Sequence, residues 1–180
     1  MNGGRQRKGI GDVVETVTSV ALDGAVITRP ARDCRFAYRR SIFQVNGEVI
    51  AGARLALRAG AERRALRREM AAIMADRRRK FPRKQPNCGS VFVSNPAMHA
   101  EYGPPGAIIE RLGLKGRRIG GAQISHQHAN FIVNLGAATA RDVLALVTET
   151  RETVFRETGY PMQVEARFVA PDGTIRAAHD

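Results

Sequence analysis

Three stretches of the sequence hold side chains that could do chemistry. In NCGSVFVSNP, residues 87–96, a hydroxyl, Ser90, stands between Gly89 and the apolar pair Val91 and Phe92. A hydroxyl at the mouth of a short buried strand, beside a glycine that lets another molecule come close, is placed to donate a proton or a hydrogen bond. In MQVEARFVA, residues 162–170, Glu165 and Arg167 lie two apart and share a face of an extended chain. Earlier, Tyr38, Arg39 and Arg40 precede the apolar Ile42 and Phe43. A guanidinium turned inward there suits a carboxylate or a phosphate. Each has a plainer reading: arginines beside strands are usually surface residues, and a glutamate in an alternating strand usually lies on its solvent face.

Other patterns are weaker. His126 and His128 share a face of an extended segment, but no cysteine or acid at matching spacing completes a metal site, so no metal is expected. The Lys115-Gly116 pair lacks the Ser or Thr of a phosphate loop, no dinucleotide glycine fingerprint follows a strand, and no G-x-S-x-G elbow surrounds Ser90. The formal charge is +12, and its densest run, Arg63 to Lys84, contains RRALRREM and DRRRKFPRK. No aromatic residue interleaves with it before Phe81, which speaks against base stacking and leaves nucleic acid unexpected as a partner. A solvated helix face, or a basic surface that attracts phosphorylated small molecules, fits better.

These residues need elements to hold them. Residues 12–22, DVVETVTSVAL, read as a strand; Asp23-Gly24 turns the chain, and AVIT returns as its partner. Residues 30–37 read as a short helical turn and 48–57 as a strand interrupted at Gly52. Composition changes near residue 58. From Ala61 to Arg79 helix formers dominate, with Leu66, Met70, Ile73 and Met74 on one stripe, and Pro82 ends the helix. A short helix follows within 103–113, strands over 117–124 and 129–135, and a helix that Thr139 caps with Asp142 at the capping-box position. Its apolar face is Val143, Leu146, Val147, Thr150 and Val154. Residues 162–170 form a last strand, and Asp172-Gly173 leads into a polar tail. The mixture is α+β. No apolar run is long enough for a membrane span, the basic N-terminus has no apolar region of a signal peptide, and two unpaired cysteines, Cys34 and Cys88, fit a reducing cytoplasm.

The order YRRSIF, GSVFVSNP, GPPGAIIERLGLKGRRIGGAQIS, HANFIVN with GAATARDVL, and VEARFVA resembles the C-terminal portion of the UDP-N-acetylenolpyruvoylglucosamine reductase (MurB) family, over nearly the whole chain. The resemblance implies the second half of an FAD-binding domain over residues 1–58 and an α+β substrate-binding domain over 59–180. It implies NADPH- and FAD-dependent reduction of UDP-N-acetylglucosamine enolpyruvate in peptidoglycan precursor synthesis. Hydride goes to C3 of the enolpyruvyl ether, and C2 must then receive a proton. The family's proton donor falls on Ser90, its active-site arginine on Arg39 and its active-site glutamate on Glu165. Arg39 and Glu165 would stabilise charge as hydride arrives. Lys115, Gln123 and Asn130 fall at substrate positions, and Arg167, Asn2 and Gly11 at cofactor positions.

The chain also departs from the family pattern. Its opening, MNGGRQRKGIGDVVE, aligns on a family segment that typically reads M-N-A-G-A-Y-G-x-x-I-G-D-V-V-E, with Arg5-Gln6-Arg7 replacing Ala-Tyr-Gly. Met1 therefore resembles an internal methionine, and the glycine-rich flavin segments that precede it in the family are missing. Weak retention of FAD is expected, with a second polypeptide as one source of the missing half. The alternative is a flavin-independent nucleotide-sugar-binding or repurposed domain.

Overall fold

The computed structural model of the chain describes residues 9–37, 40–60, 62–94 and 96–179. The chain divides into two compact units, Met1–Leu66 and Arg67–Asp180.

In the first unit the β-branched run folds back on itself as its D-G turn predicts. Strand β1 (Val14–Val20) pairs antiparallel with β2 (Val26–Pro30). Asp23 Oδ1 accepts the Ala25 amide at 3.0 Å within the turn. Strand β3 (Val49–Leu55) pairs with the other edge of β1, giving the order β2-β1-β3. The register slips where Thr18 and Ser19 face Gly52 and Ile50, so the glycine interruption marks a bulge. A 3-10 turn over Ala31–Cys34 stands where a helical turn is expected. Val14, Val17 and Cys34 are buried, with Ala31, Phe36 and Phe43 packed on them. Buried Ser19 donates to Glu48 Oε2 at 2.5 Å, and Glu48 holds Arg29 through both carboxylate oxygens. The Arg29 guanidinium, with Ser19 behind it, keeps the Glu48 carboxyl below its ordinary range.

Helix α1 (Arg63–Lys80) spans the division between the units. It ends before Pro82, as the missing amide of proline requires. None of its described side chains is buried, and Leu66, Met70 and Met74 of the predicted stripe remain 46%, 62% and 46% exposed.

The second unit packs one core. Helix α2 (Pro96–His99) is a single turn, and α3 (Pro105–Arg111) starts on Pro104 and Pro105. Residues 117–124 form two strands where the sequence reads as one. The Gly120-Gly121 turn separates β4 (Arg118–Ile119) from β5 (Ala122–Ile124), because two adjacent glycines let the chain reverse within two residues. Strand β6 (Ile132–Asn134) completes the order β4-β5-β6, all antiparallel. Helix α4 (Ala140–Thr158) lies against β4 and β5, burying Leu146, Val147, Thr150 and Val154. Its cap is the predicted one: Thr139 Oγ1 accepts the Asp142 amide at 3.2 Å, and Asp142 accepts the Thr139 amide at 2.9 Å. Gly159, at φ 71°, closes the other end.

The last predicted strand is shorter than residues 162–170. Only β7 (Arg167–Val169) is regular, and it pairs with β8 (Ile175–Ala177), which occupies the expected polar tail after the Asp172-Gly173 turn. Upstream of β7, residues 163–166 run along the GSVF segment instead of pairing with a neighbouring strand. Val91, Phe92, Ile108, Ile109, Ile124, Leu146 and Met162 form the centre of the core. Among the described residues no helix is long and apolar enough to cross a membrane.

Candidate functional site

Ser90 is half-buried at the point where the chain enters this core. An Asx turn delivers it: Asn87 donates to the carbonyls of Pro82 (3.0 Å) and Gln85 (2.8 Å), and its Oδ1 accepts the Gly89 amide (3.0 Å). Gly89 has φ 84°, which a side chain would strain, and open space lies where its Cβ would stand. Past Ser90, Val91 is fully buried and Phe92 nearly so. Their burial fixes one side of the serine while the other remains accessible.

Glu165 reaches the same segment through the backbone. The Val91 carbonyl accepts two consecutive amides, from Glu165 at 2.8 Å and from Ala166 at 3.2 Å, and Val93 donates to Gln163 at 2.9 Å. Two successive amides aimed at one oxygen break the alternation of a flat strand, which is why regular pairing stops here. The peptide of Glu165 is thus one hydrogen bond from the residue that follows Ser90. The Glu165 and Arg167 side chains are exposed, and both line an open groove of about 390 Å³ with Val164, Ala166, Ile175, Arg176 and Ala177. The Arg176 guanidinium also lies 5.0 Å from the centre of the Phe168 ring. One carboxylate and two guanidinium groups around a groove suit an anionic ligand, the arginines for charge and the acid for orienting polar groups. Arg176 is absent from the sequence-predicted residues. The turn that folds it back beside Arg167 is local, but its consequence for the groove is not.

Arg39 and Asn2 lie outside the described residues. Lys115 and Gln123 are half-buried: Lys115 Nζ pairs with Glu110 at 2.7 Å, and Gln123 donates to the Gly116 carbonyl at 3.0 Å. Asn130 is 4% exposed, with its carboxamide bonded to Phe92 at both ends. The histidine pair has separate surroundings. His126 is exposed, whereas His128 stacks on Phe81 with ring centres 5.3 Å apart. Burial, and then the nearby Lys115 charge, holds His128 below the usual histidine range. Among the described residues no group of three or more His, Cys, Asp or Glu side chains could hold a metal ion.

A second groove, of about 570 Å³, is lined by Arg78, Phe81, Arg83, Lys84 and Gln127. The basic run predicts a solvated helix face or a basic surface that attracts phosphorylated small molecules. Its last members flank a concavity, because Pro82 turns the chain and the Gln127 side chain donates to the Arg79 carbonyl at 3.2 Å. Three cations around a groove can take a phosphate, while the Phe81 ring is itself stacked on His128 and lies under the Arg77 guanidinium at 5.1 Å. The cations of this groove are legible in the sequence, but the approach of Gln127 to Arg79, which closes it, joins residues far apart in the chain.

Two of the positions assigned to a cofactor, Gly11 and Arg167, are among the described residues. A Cβ at Gly11 would come within 2.7 Å of the Phe36 ring, so this glycine makes room for Phe36. Arg167 stands exposed at the first groove.

The chain is similar to known proteins. Residues 81–169 match the family model of the UDP-N-acetylenolpyruvoylglucosamine reductase C-terminal domain. The whole chain is 42% identical, over 180 residues, to UDP-N-acetylenolpyruvoylglucosamine reductase 1 of Corynebacterium glutamicum, of which it covers 53%. Over 167 residues, 93% of the chain, it is 41% identical to reductase 2 of Symbiobacterium thermophilum, covering 52% of that protein. The crystal structure of the MurB reductase of Thermus caldophilus superposes on 92% of this chain and 56% of that one, with a TM-score of 0.71 and 33% identity. The chain spans about half the length of the curated relatives it matches.

Proposed function

We propose, from the premise that residues 81–169 belong to the C-terminal domain family of UDP-N-acetylenolpyruvoylglucosamine reductase, that this chain carries the substrate side of that reaction. It holds UDP-N-acetylglucosamine enolpyruvate and protonates it as it becomes UDP-N-acetylmuramate, in the cytoplasm. FAD reduced by NADPH, when bound, supplies the hydride. Phe36 fills the face of Gly11, one of the positions assigned to the cofactor, and the steps assigned to this chain are those of its own side chains.

The observation that carries the reading is the single hydrogen-bonded unit that joins the Ser90 segment to Glu165. Ser90 gives up its hydroxyl proton as the C–H bond forms at C2, and the alkoxide recovers a proton from water. A hydroxyl is a weak acid, so its use depends on a fixed position beside the carbon that needs the proton. Arg39 falls at the family's active-site arginine, whose role is to hold the enolpyruvyl carboxylate, and Glu165 orients polar groups of the substrate. Lys115 and Gln123 contact the sugar nucleotide, and Arg167 contacts the anion in the first groove. The groove lined by Arg78, Arg83 and Lys84 takes the diphosphate. Support comes from the three cations there, and from the family of residues 81–169.

The test is product formation from the enolpyruvate substrate with NADPH and added FAD. The unsubstituted chain is expected to form UDP-N-acetylmuramate, and Ser90→Ala to lose product while NADPH still reduces the flavin. Equal product from Ser90→Ala and the unsubstituted chain would remove Ser90 as the proton donor.

A second reading is favoured by Gly11, whose face is filled by Phe36. The chain then binds a nucleotide sugar without flavin chemistry. A colourless purified protein that binds UDP-N-acetylglucosamine but forms no product with added FAD would select it. No observation on the chain or its relatives supports a second polypeptide, and that expectation is dropped.

A further inference from the structure

We infer that Asn130 is the positioning residue of Ser90, acting through the two peptides that follow the serine. Its side chain does for Phe92 what a neighbouring strand would do. Asn130 Oδ1 accepts the Phe92 amide at 2.9 Å, and Asn130 Nδ2 donates to the Phe92 carbonyl at 2.9 Å. Its own carbonyl accepts the Val91 amide at 2.9 Å. In an extended strand, consecutive amides point to opposite sides. Here the amides of Val91 and Phe92 both end on one residue, so the backbone is turned at Val91, immediately after Ser90. On its far side Val91 accepts Glu165 and Ala166. Asn130 therefore fixes both peptides that follow Ser90: its main-chain carbonyl holds the Ser90–Val91 peptide, and its side chain holds the Val91–Phe92 peptide, whose carbonyl accepts Glu165.

The surroundings show that this amide is held and spent. Asn130 is 4% exposed, its backbone amide donates to His128 Nδ1 at 3.2 Å, and His128 is itself stacked on Phe81. Both ends of the carboxamide are taken up by Phe92, which points to a positioning role in place of the substrate contact assigned from the sequence. Only a group with one acceptor and one donor at that spacing can make both bonds. A hydrophobic residue of similar size would fill the space and leave the Phe92 amide and carbonyl buried and unpaired. The importance of this position for catalysis rests on the proposed role of Ser90; the clamp itself does not.

The chemistry of the clamp supplies its test. Asn130→Asp keeps the shape. When the introduced carboxyl is protonated it again offers one donor and one acceptor to Phe92. When ionised it is acceptor-only and faces the Phe92 carbonyl. Burial and that carbonyl both raise its pKa above the unfolded value. The folded form then binds the proton more tightly, so the variant matches the parent best in acid and departs from it as pH rises through the folded value. Asn130→Ala has no group to titrate.

The measurement is nuclear magnetic resonance of the 180-residue chain, following amide protection factors at Val91 and Phe92 and the resonances of Ser90 and Glu165 between about pH 4 and 8. The unsubstituted chain over the same range is the reference for every pH effect that does not come from the introduced carboxyl. Asn130→Ala is expected to lose protection at Phe92 by on the order of tenfold or more at every pH, relative to Leu146 and Val147 of α4, and to shift Ser90 and Glu165. Asn130→Asp is expected to show the same loss at high pH and to recover in acid, with Ser90 and Glu165 returning together. Loss in Asn130→Asp without recovery would reduce Asn130 to space filling and overturn the inference. Unchanged Ser90 and Glu165 signals alongside a lost Phe92 bond would overturn it as well. If Asn130→Ala does not fold, the titration of Asn130→Asp decides alone. None of these readouts needs flavin or turnover, so absence of product in the unsubstituted chain would count against the proposed function and leave this result standing.

Discussion

The junction where α4 meets the β4–β5 hairpin gives the sharpest stability prediction. Three hydrogen bonds hold it: Thr139 Oγ1 accepts the Asp142 amide (3.2 Å), and Asp142 Oδ2 accepts the amides of Thr139 (2.9 Å) and Gly121 (3.3 Å). Thr139→Ala removes only the hydroxyl. The loss of such a cap costs about 1 kcal/mol, and in a chain of this size that lowers Tm by roughly 2–4 °C. Asp142→Asn removes the negative charge that both amides bind. The Thr139 amide, followed by that of Gly121, holds the Asp142 carboxyl below its ordinary range. The folded form therefore releases the proton more readily than the unfolded chain does. Its contribution is complete above the unfolded pKa of about 3.9 and disappears as pH falls through the lower folded value. Thermal unfolding followed by circular dichroism at 222 nm, for the parent and both variants from about pH 7 down to the acid limit of folding, separates the two effects. The Thr139→Ala deficit should persist across the range, because a hydroxyl does not titrate there. The Asp142→Asn deficit should shrink as pH falls. A pH-independent Asp142→Asn deficit, or a Thr139→Ala variant as stable as the parent, would refute this reading of the cap.

Single groups give further expectations. Leu146 is fully buried, so Leu146→Ala should destabilise the fold by about 2–5 kcal/mol in urea unfolding; a loss below about 1 kcal/mol would mean the core relaxes around it. Glu48→Gln leaves Arg29 without its counter-charge beside buried Ser19. Since Arg29 depresses the Glu48 carboxyl, the destabilisation should be full at neutral pH and fade in acid, and a constant deficit would contradict the pairing. Reversing charge with Arg83→Glu and Lys84→Glu should weaken UDP binding by calorimetry and flatten its dependence on salt; unchanged affinity would place the nucleotide elsewhere.

What was legible in the sequence is what local chemistry decides. The Asp23-Gly24 hairpin, the Thr139–Asp142 cap and the face of Leu146, Val147 and Val154 each follow from residues within a few positions of one another. The Gly120-Gly121 reversal was also local, but its apolar flanks read equally well as one strand. Residues 163–166 were not legible, because their partner is the GSVF segment some seventy positions earlier and the double acceptance at Val91 breaks the alternation on which strand reading depends. The α1 stripe has helical spacing, yet spacing says nothing about burial, and Leu66, Met70 and Met74 stay exposed. Asn130 shows the same limit at the site. Its motif signalled a polar residue near substrate, whereas its bonds to Phe92 are visible only once residues 92 and 130 are brought together.

Ser90, Glu165 and the basic groove can act together only if they serve one bound sugar nucleotide. The most direct measurement is a titration of the isotope-labelled chain with UDP-N-acetylglucosamine, following Ser90, Glu165, Arg167, Phe81 and Lys84 by nuclear magnetic resonance. A shared ligand predicts that their resonances move along one saturable curve. Shifts confined to one of these places, or no shifts at any concentration of the nucleotide sugar, would contradict it.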